Sequence, residues 1–233
     1  MTKRVYREVH VSQSDGGYRV LLDRVPLRSP FRKDLKLVNE VLARAVALEW
    51  ADQGDDIDTS VLRLTTLAGR ATDLFVEDRA RIEAALAAYI ETDLVCYRAE
   101  QPPALVRLQC AEWDPLLAWA KKRYSCVPSV TTGILPTVPD AKVSQRYNAV
   151  VADLTADQLV VSQEITAITG SLILALAVLE GEIDCERAWY AGNIDEDYNI
   201  SRWGEDEEAA DRRARQRADL DAVAFYLAAT GNP

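Results

Sequence analysis

"VYREVHVSQSDGGYRVLLDRVPLRSP", Val5 to Pro30, decides whether this chain is all-helical or mixed. Val5, Val9 and Val11 precede an Asp15-Gly16-Gly17 turn, and Tyr18, Val20 and Leu22 follow it. Alternation around a glycine turn predicts an antiparallel hairpin, with a short third strand around Val25 to Leu27. Gly16 and Gly17 supply the positive φ angles of the turn. No GxGxxG or GKT pattern follows, so the glycines do not form a phosphate loop.

Beyond the hairpin the period changes from two to that of a helix. "LVNEVLARAVALEWADQG" places Leu37, Val41, Leu42, Ala45, Leu48 and Ala51 on one stripe, with Gly54 as a stop. "VLRLTTLAGRATDLF" and "VEDRARIEAALAAYIE" continue as second and third helices. "DLVCYRA" reads as a buried strand. "EQPPA" punctuates the chain, and a domain boundary is expected there, giving domains 1–99 and 100–233. In the helix "PALVRLQCAEWDPLLAWAKKRY", Pro115 is expected to kink or divide. "CVPSVTTGILPTVP" is extended. Helices are expected at about 141–152, 155–180, 184–203 and 205–229, with Thr155 and Asp184 as caps. The expected fold is α+β: a small N-terminal antiparallel sheet with helices, followed by a C-terminal orthogonal helical bundle.

The composition excludes several functions. The 233 residues are 48% hydrophobic and 27% charged, enough apolar material for a real core. A net charge of −10 disfavours nucleic acid. Arg212, Arg213, Arg215 and Arg217 follow Glu205, Asp206, Glu207, Glu208 and Asp211, and acid before base complements a helix dipole. Cys96, Cys110, Cys126 and Cys185 have no CxxC spacing, and His10 is the single histidine, so no metal site or cofactor is expected. The apolar run Ile165 to Gly181 is short of the roughly 20 residues of a membrane span, so no membrane insertion is expected. "MTKRVYREVHV" has no apolar signal core. The location expected from these features is the bacterial cytoplasm, or the mitochondrial matrix for a processed eukaryotic chain.

The stretch "IDEDYNISRWGEDEEA", Ile194 to Ala209, carries the densest acid. At about 100° per residue on one helix, Glu196 falls between Trp189, Ile200 and Trp203. Asp195 and Asp197 flank it, and Tyr198 lies on the opposite face. A carboxylate on an apolar face needs an arginine, a proton or another protein. Asp93 is read as a strand-entry cap, with a catalytic acid as the alternative. Trp50, Trp113 and Trp119 are read as packing residues, and Trp203-Gly204 as a structural hinge between helices.

These residues resemble a known family. "DEDYNISRWGEDEEA" is similar to the late signature of the assembly factor that chaperones the alpha subunit of the F-type ATP synthase head. "YRVLLDRVPLRSP", "ALEWADQGDDIDTSVLRLTTLAGRATD", "TDLVCYRAE", "WDPLLAWA" and "TGSLILALAVLEGEID" follow the same order. Arg24 stands where the family generally has glycine, and Leu62-Arg63 replaces a commoner Met-Pro. Val38-Asn39 lacks the proline often found there. The resemblance implies a chaperone without nucleotide hydrolysis, whose partner is the unassembled alpha subunit. It matches the family's acidic position, in an E-x-Y-x-x-x-x-W-G context, to Glu196. Client contact is therefore expected at Glu196, with Asp195, Asp197 and Tyr198, and a structural role at Trp50. The alternatives are a carboxylate enzyme using Glu196 or Asp93, and an adaptor with a different protein client.

Overall fold

The computed structural model describes residues 2–74, 76–133 and 140–231. The chain forms two compact units, Met1–Phe75 with Ala222–Pro233, and Val76–Asp221. Glu100, where the boundary was expected, lies inside the second unit.

The first unit is built on the expected hairpin. β2 (Val9–Ser14) and β3 (Gly17–Leu22) pair antiparallel with Val11 opposite Val20, and β4 (Val25–Pro26) pairs with the end of β3. β1 (Thr2–Lys3) pairs separately with β5 (Asp56–Ile57). Leu37 extends the edge of β3 by exchanging backbone hydrogen bonds with Tyr18, at 2.8 Å each. A Cβ on Gly17 would lie 2.5 Å from the Leu37 carbonyl oxygen, so this close approach requires glycine.

Helix α1 (Glu40–Ala51) packs on β2 and β3. Its N-cap is Asn39, whose side chain accepts from the Leu42 amide at 2.9 Å. The inward residues are Leu42, Ala43 and Val46. Val41 and Leu48, expected on the same stripe, are 61% and 62% exposed. The sheet covers only one edge of the apolar stripe, and Leu37 is buried as a strand residue rather than as a helical one.

Helix α2 (Arg63–Asp73) begins at Leu62, which has no capping side chain. Glu49 of α1 supplies the missing acceptor. Its carboxylate takes the amides of Leu64 at 2.6 Å and Thr65 at 2.9 Å, and the Thr65 hydroxyl at 2.7 Å. The neighbouring Trp50 donates its indole N–H to Thr65 Oγ1 at 3.0 Å, and its carbonyl accepts from the Tyr6 hydroxyl. Trp50 thus sits in the joint between the two helices. Val223, Tyr226 and Leu227, buried near the end of α10 (Glu207–Thr230), complete this unit.

The second unit is mainly helical. It contains α3 (Val76–Ala88), α4 (Pro103–Tyr124), α5 (Ala141–Ala152), α6 (Ala156–Thr169), α7 (Leu172–Leu179), α8 (Cys185–Gly192), α9 (Ile194–Trp203) and α10 up to Asp221. Leu94–Cys96 is a single 3-10 turn, and only Tyr97–Arg98 of the expected strand is extended, as β6, parallel to β7 (Thr131–Thr132). Residues 134–139, the end of the stretch from Cys126 expected to be extended, lie outside the described residues.

Pro115 is accommodated inside one continuous α4 and does not divide it. Two helices expected to be continuous are instead broken. Gly170, with φ +73°, ends α6, and Ser171 caps α7, whose eight residues are all buried. Asn193, with φ −112° and ψ 11°, separates α8 from α9. Its side chain donates to the Trp189 carbonyl at 2.8 Å. A Cβ on Gly192 would meet Thr169 at 2.8 Å, so α8 passes the end of α6 at a distance only glycine allows.

Candidate functional site

The break at Asn193 rearranges the acidic stretch. Trp189 and Glu196 belong to different helices, so a wheel drawn through both does not describe them. Trp203 is 80% exposed at the end of α9 and packs against no core. Gly204 follows with φ +81° and ψ 175°, a backbone region almost reserved for glycine, and α10 starts three residues later. The Trp203-Gly204 junction therefore does separate two helices, through the glycine rather than through burial of the indole.

Arg213, on the first half of α10, organises the acid. Its Nη1 donates to Glu196 Oε2 at 3.0 Å and to Asn193 Oδ1 at 3.2 Å. Its Nη2 donates to Asp197 Oδ1 at 2.5 Å, and its Nε lies 3.2 Å from Glu205. The guanidinium stacks 5.3 Å from the centre of the Trp189 ring. Arg213 is only 15% exposed. Burial works against its charge, but the hydrogen bonds and charges of Glu196 and Asp197 outweigh that and hold its pKa above the ordinary arginine value. The second oxygen of Glu196 is ion-paired with Arg212, and the Glu196 side chain stays one-third exposed. The arrangement is a charge cluster closed on its inner side and open on its outer side.

The other site residues separate around it. Asp195 turns inward and accepts from Gln109 Nε2 at 2.6 Å, and the side-chain Oε1 of Gln109 accepts from the Ala99 amide at 2.8 Å. Gln109 is fully buried, so this bridge ties α9 to α4. Tyr198 is partly exposed, and its hydroxyl accepts from Arg202 at 2.9 Å. Sequence reasoning missed Arg213, Asn193 and Gln109. The arginine run was visible, but its role depends on which of four arginines faces α9.

Asp93 is capped and closed. It is fully buried and accepts from Ser171 Oγ at 2.6 Å, the Ile173 amide at 3.0 Å and the Val95 amide at 3.2 Å. Burial pushes its pKa up to about 6, against the lowering effect of those donors. All four cysteines are free thiols, and burial pushes Cys96 up to about 12 and Cys185 up to about 11. Among the described residues no group of His, Cys, Asp and Glu is placed to hold a metal ion. An open cleft of about 450 Å³ lies beside Tyr124, Arg146 and Leu176. Its cations are committed, Arg123 to Glu180 and Arg146 to the Tyr124 carbonyl. Among the described residues, no helix is long and apolar enough to cross a membrane.

The α+β fold is one that known assembly chaperones share. A family model described as ATP12 chaperone protein matches residues 3–121. The crystal structure of Atp12 from Paracoccus denitrificans superposes with a TM-score of 0.83 at 38% identity, covering 97% of each chain. The Atu1473 protein of Agrobacterium tumefaciens superposes with a TM-score of 0.86 at 33% identity, covering 98% of this chain and 86% of that one. Protein atp12, mitochondrial, of Schizosaccharomyces pombe is 24% identical over 89% of this chain and 75% of its own length. The chain belongs to the ATP12 chaperone family, which serves ATP synthase assembly.

Proposed function

We propose that this protein holds the unassembled alpha subunit of the F-type ATP synthase, without catalysis, and that the outer side of α9 contacts it. One observation carries the reading: Glu196 is fixed by two arginines yet remains one-third exposed, on the helix that ends in the exposed Trp203. Charge pairs fixed beforehand bind at low ordering cost, and an exposed tryptophan is a typical anchor at the centre of an interface. Asp197 and Tyr198 belong to the same rim. Asp195 acts behind it, through Gln109. Trp50 acts by structure, through its hydrogen bond to Thr65. The enclosure of Asp93 by three donors supports a capping role for it rather than acid–base chemistry.

The test is co-expression with the alpha subunit, comparing wild type with Glu196→Gln and Trp203→Ala. The expected result is loss of captured subunit with an unchanged melting temperature. An equal fall in capture and in melting temperature for Glu196→Gln assigns the residue to the fold instead.

A further inference from the structure

The acid of the chain is unevenly placed. Against a net charge of −10, residues 19–36 carry six basic side chains and two acidic ones. Both acids are engaged: Asp34 is paired with Arg19 at 2.9 Å, and Asp23 accepts the amides of Arg7 and Glu8. The segment therefore presents positive charge on a chain that otherwise repels anions.

The tip of this segment, Ser29 to Lys33, is rigidly built. The Ser29 amide donates to the Lys33 carbonyl and the Arg32 amide to the Ser29 carbonyl. Buried Ser29 donates its hydroxyl to buried Asp73 at 2.5 Å. The other oxygen of Asp73 accepts the Phe31 amide at 3.0 Å. Pro30 rests on α2 at Gly69, where a Cβ would approach its ring to 3.2 Å. Arg32 is held at φ +61°, a left-handed conformation that a non-glycine residue adopts only when its surroundings impose it. The outcome is a tip that exposes Phe31 by 67% beside exposed Arg28 and Arg32. A core that needed only to close a turn would place glycine at residue 32 and a polar residue at 31.

We propose that this tip is a second docking point, by which the first unit grips an acidic, apolar-edged patch on the client. It rests on the reading that the client is the alpha subunit. Phenylalanine and arginine on a backbone held in place have the composition of interface anchors. Nucleic acid is disfavoured by the charge of the whole chain. A second copy would have to join this turn to an acidic surface elsewhere on its neighbour. A two-fold dimer would have to repeat that contact in both directions, and the experiment below reads self-association as an outcome.

The experiment uses the full chain and the alpha subunit, with three variants: Phe31→Ala, Arg32→Gly, and the double variant Arg28→Glu with Arg32→Glu. Glycine suits the left-handed angle, so Arg32→Gly removes the side chain and keeps the turn. The expected loss of affinity is about tenfold for Phe31→Ala and about thirtyfold for the double variant. The double variant should also show a flatter salt dependence, and melting temperatures should be unchanged. If the wild type binds and the variants bind equally well, the docking point is wrong and the client reading stands. If the wild type does not bind the subunit, the client reading fails and takes this inference with it. Loss in the variants of self-association, or of RNA retention, shown by the wild type would assign the tip to that partner and overturn the proposal.

Discussion

Asp93 and Glu196 both stand at helix entries in the second unit, and the fold treats them in opposite ways. Asp93 is sealed among neutral donors, two amides and a hydroxyl, with no cation on its carboxylate. Glu196 is balanced by two guanidinium groups and keeps an open side. Neutral donors in a closed site fix a carboxylate as a structural part, because every donor is lost if it moves. Paired charges at a rim are worth less to the fold and can be shared with a partner. Acid content alone does not separate the two.

The largest expected effect falls on the closed site. Asp93→Ala leaves three buried donors unpaired and should cost about 4 kcal/mol or more, read as a loss of soluble chain or a large fall in denaturation midpoint. A milder change, Asp93→Asn, tests the charge. The folded carboxyl titrates at about 6, above the ordinary 3.8, so the folded state binds the extra proton between those values. Stability contributed by this residue is therefore present below about pH 4 and falls as pH rises towards about 6, by at most about 3 kcal/mol. The wild type should lose stability relative to Asp93→Asn across that window, in urea titrations at stepped pH. A flat difference would break the contrast.

The open site should respond less. Arg213→Ala strands Glu196, Asp197 and Glu205 beside one another and should cost about 2 kcal/mol in chemical denaturation, with part of the loss restored by low pH. Glu196→Gln retains a hydrogen-bond acceptor for Arg213 and should cost under about 1 kcal/mol while abolishing client capture. Trp203→Ala should stay within about 0.5 kcal/mol of wild type, because an exposed indole contributes little burial. A larger loss for either of these two would place the rim inside the fold and erase its difference from Asp93.

Much of the fold was legible in the residues. The alternation around Asp15-Gly16-Gly17 specified β2 and β3, and the caps Thr155 and Asp184 stand where their side chains bond the first turns of α6 and α8. Breaks that depend on tertiary fit were not legible. Gly170 and Asn193 divide helices whose apolar periods run on unbroken; at the first break Asp93 accepts the Ile173 amide, and beside the second Gly192 passes close to Thr169. The division of the chain was equally hidden. Residues 76–99 carry no compositional mark that sets them apart from 1–75, and their membership of the second unit is decided by contacts distant in sequence. For the candidate site, the resemblance selected Glu196, but the arginines that hold it lie 16 and 17 residues later and looked like an ordinary dipole pattern.

The return of α10 to the first unit sets an order of events during synthesis. Val223, Tyr226 and Leu227 complete the core begun by residues before Phe75, and the Asn39 side chain donates to the Ala229 carbonyl. A ribosome must therefore make the whole of the second unit before the first can close. Until then the first unit lacks these three buried side chains and the hydrogen bond at Asn39. The joint at Glu49 and Trp50 links residues only 15 apart in sequence and uses no residue of the second unit.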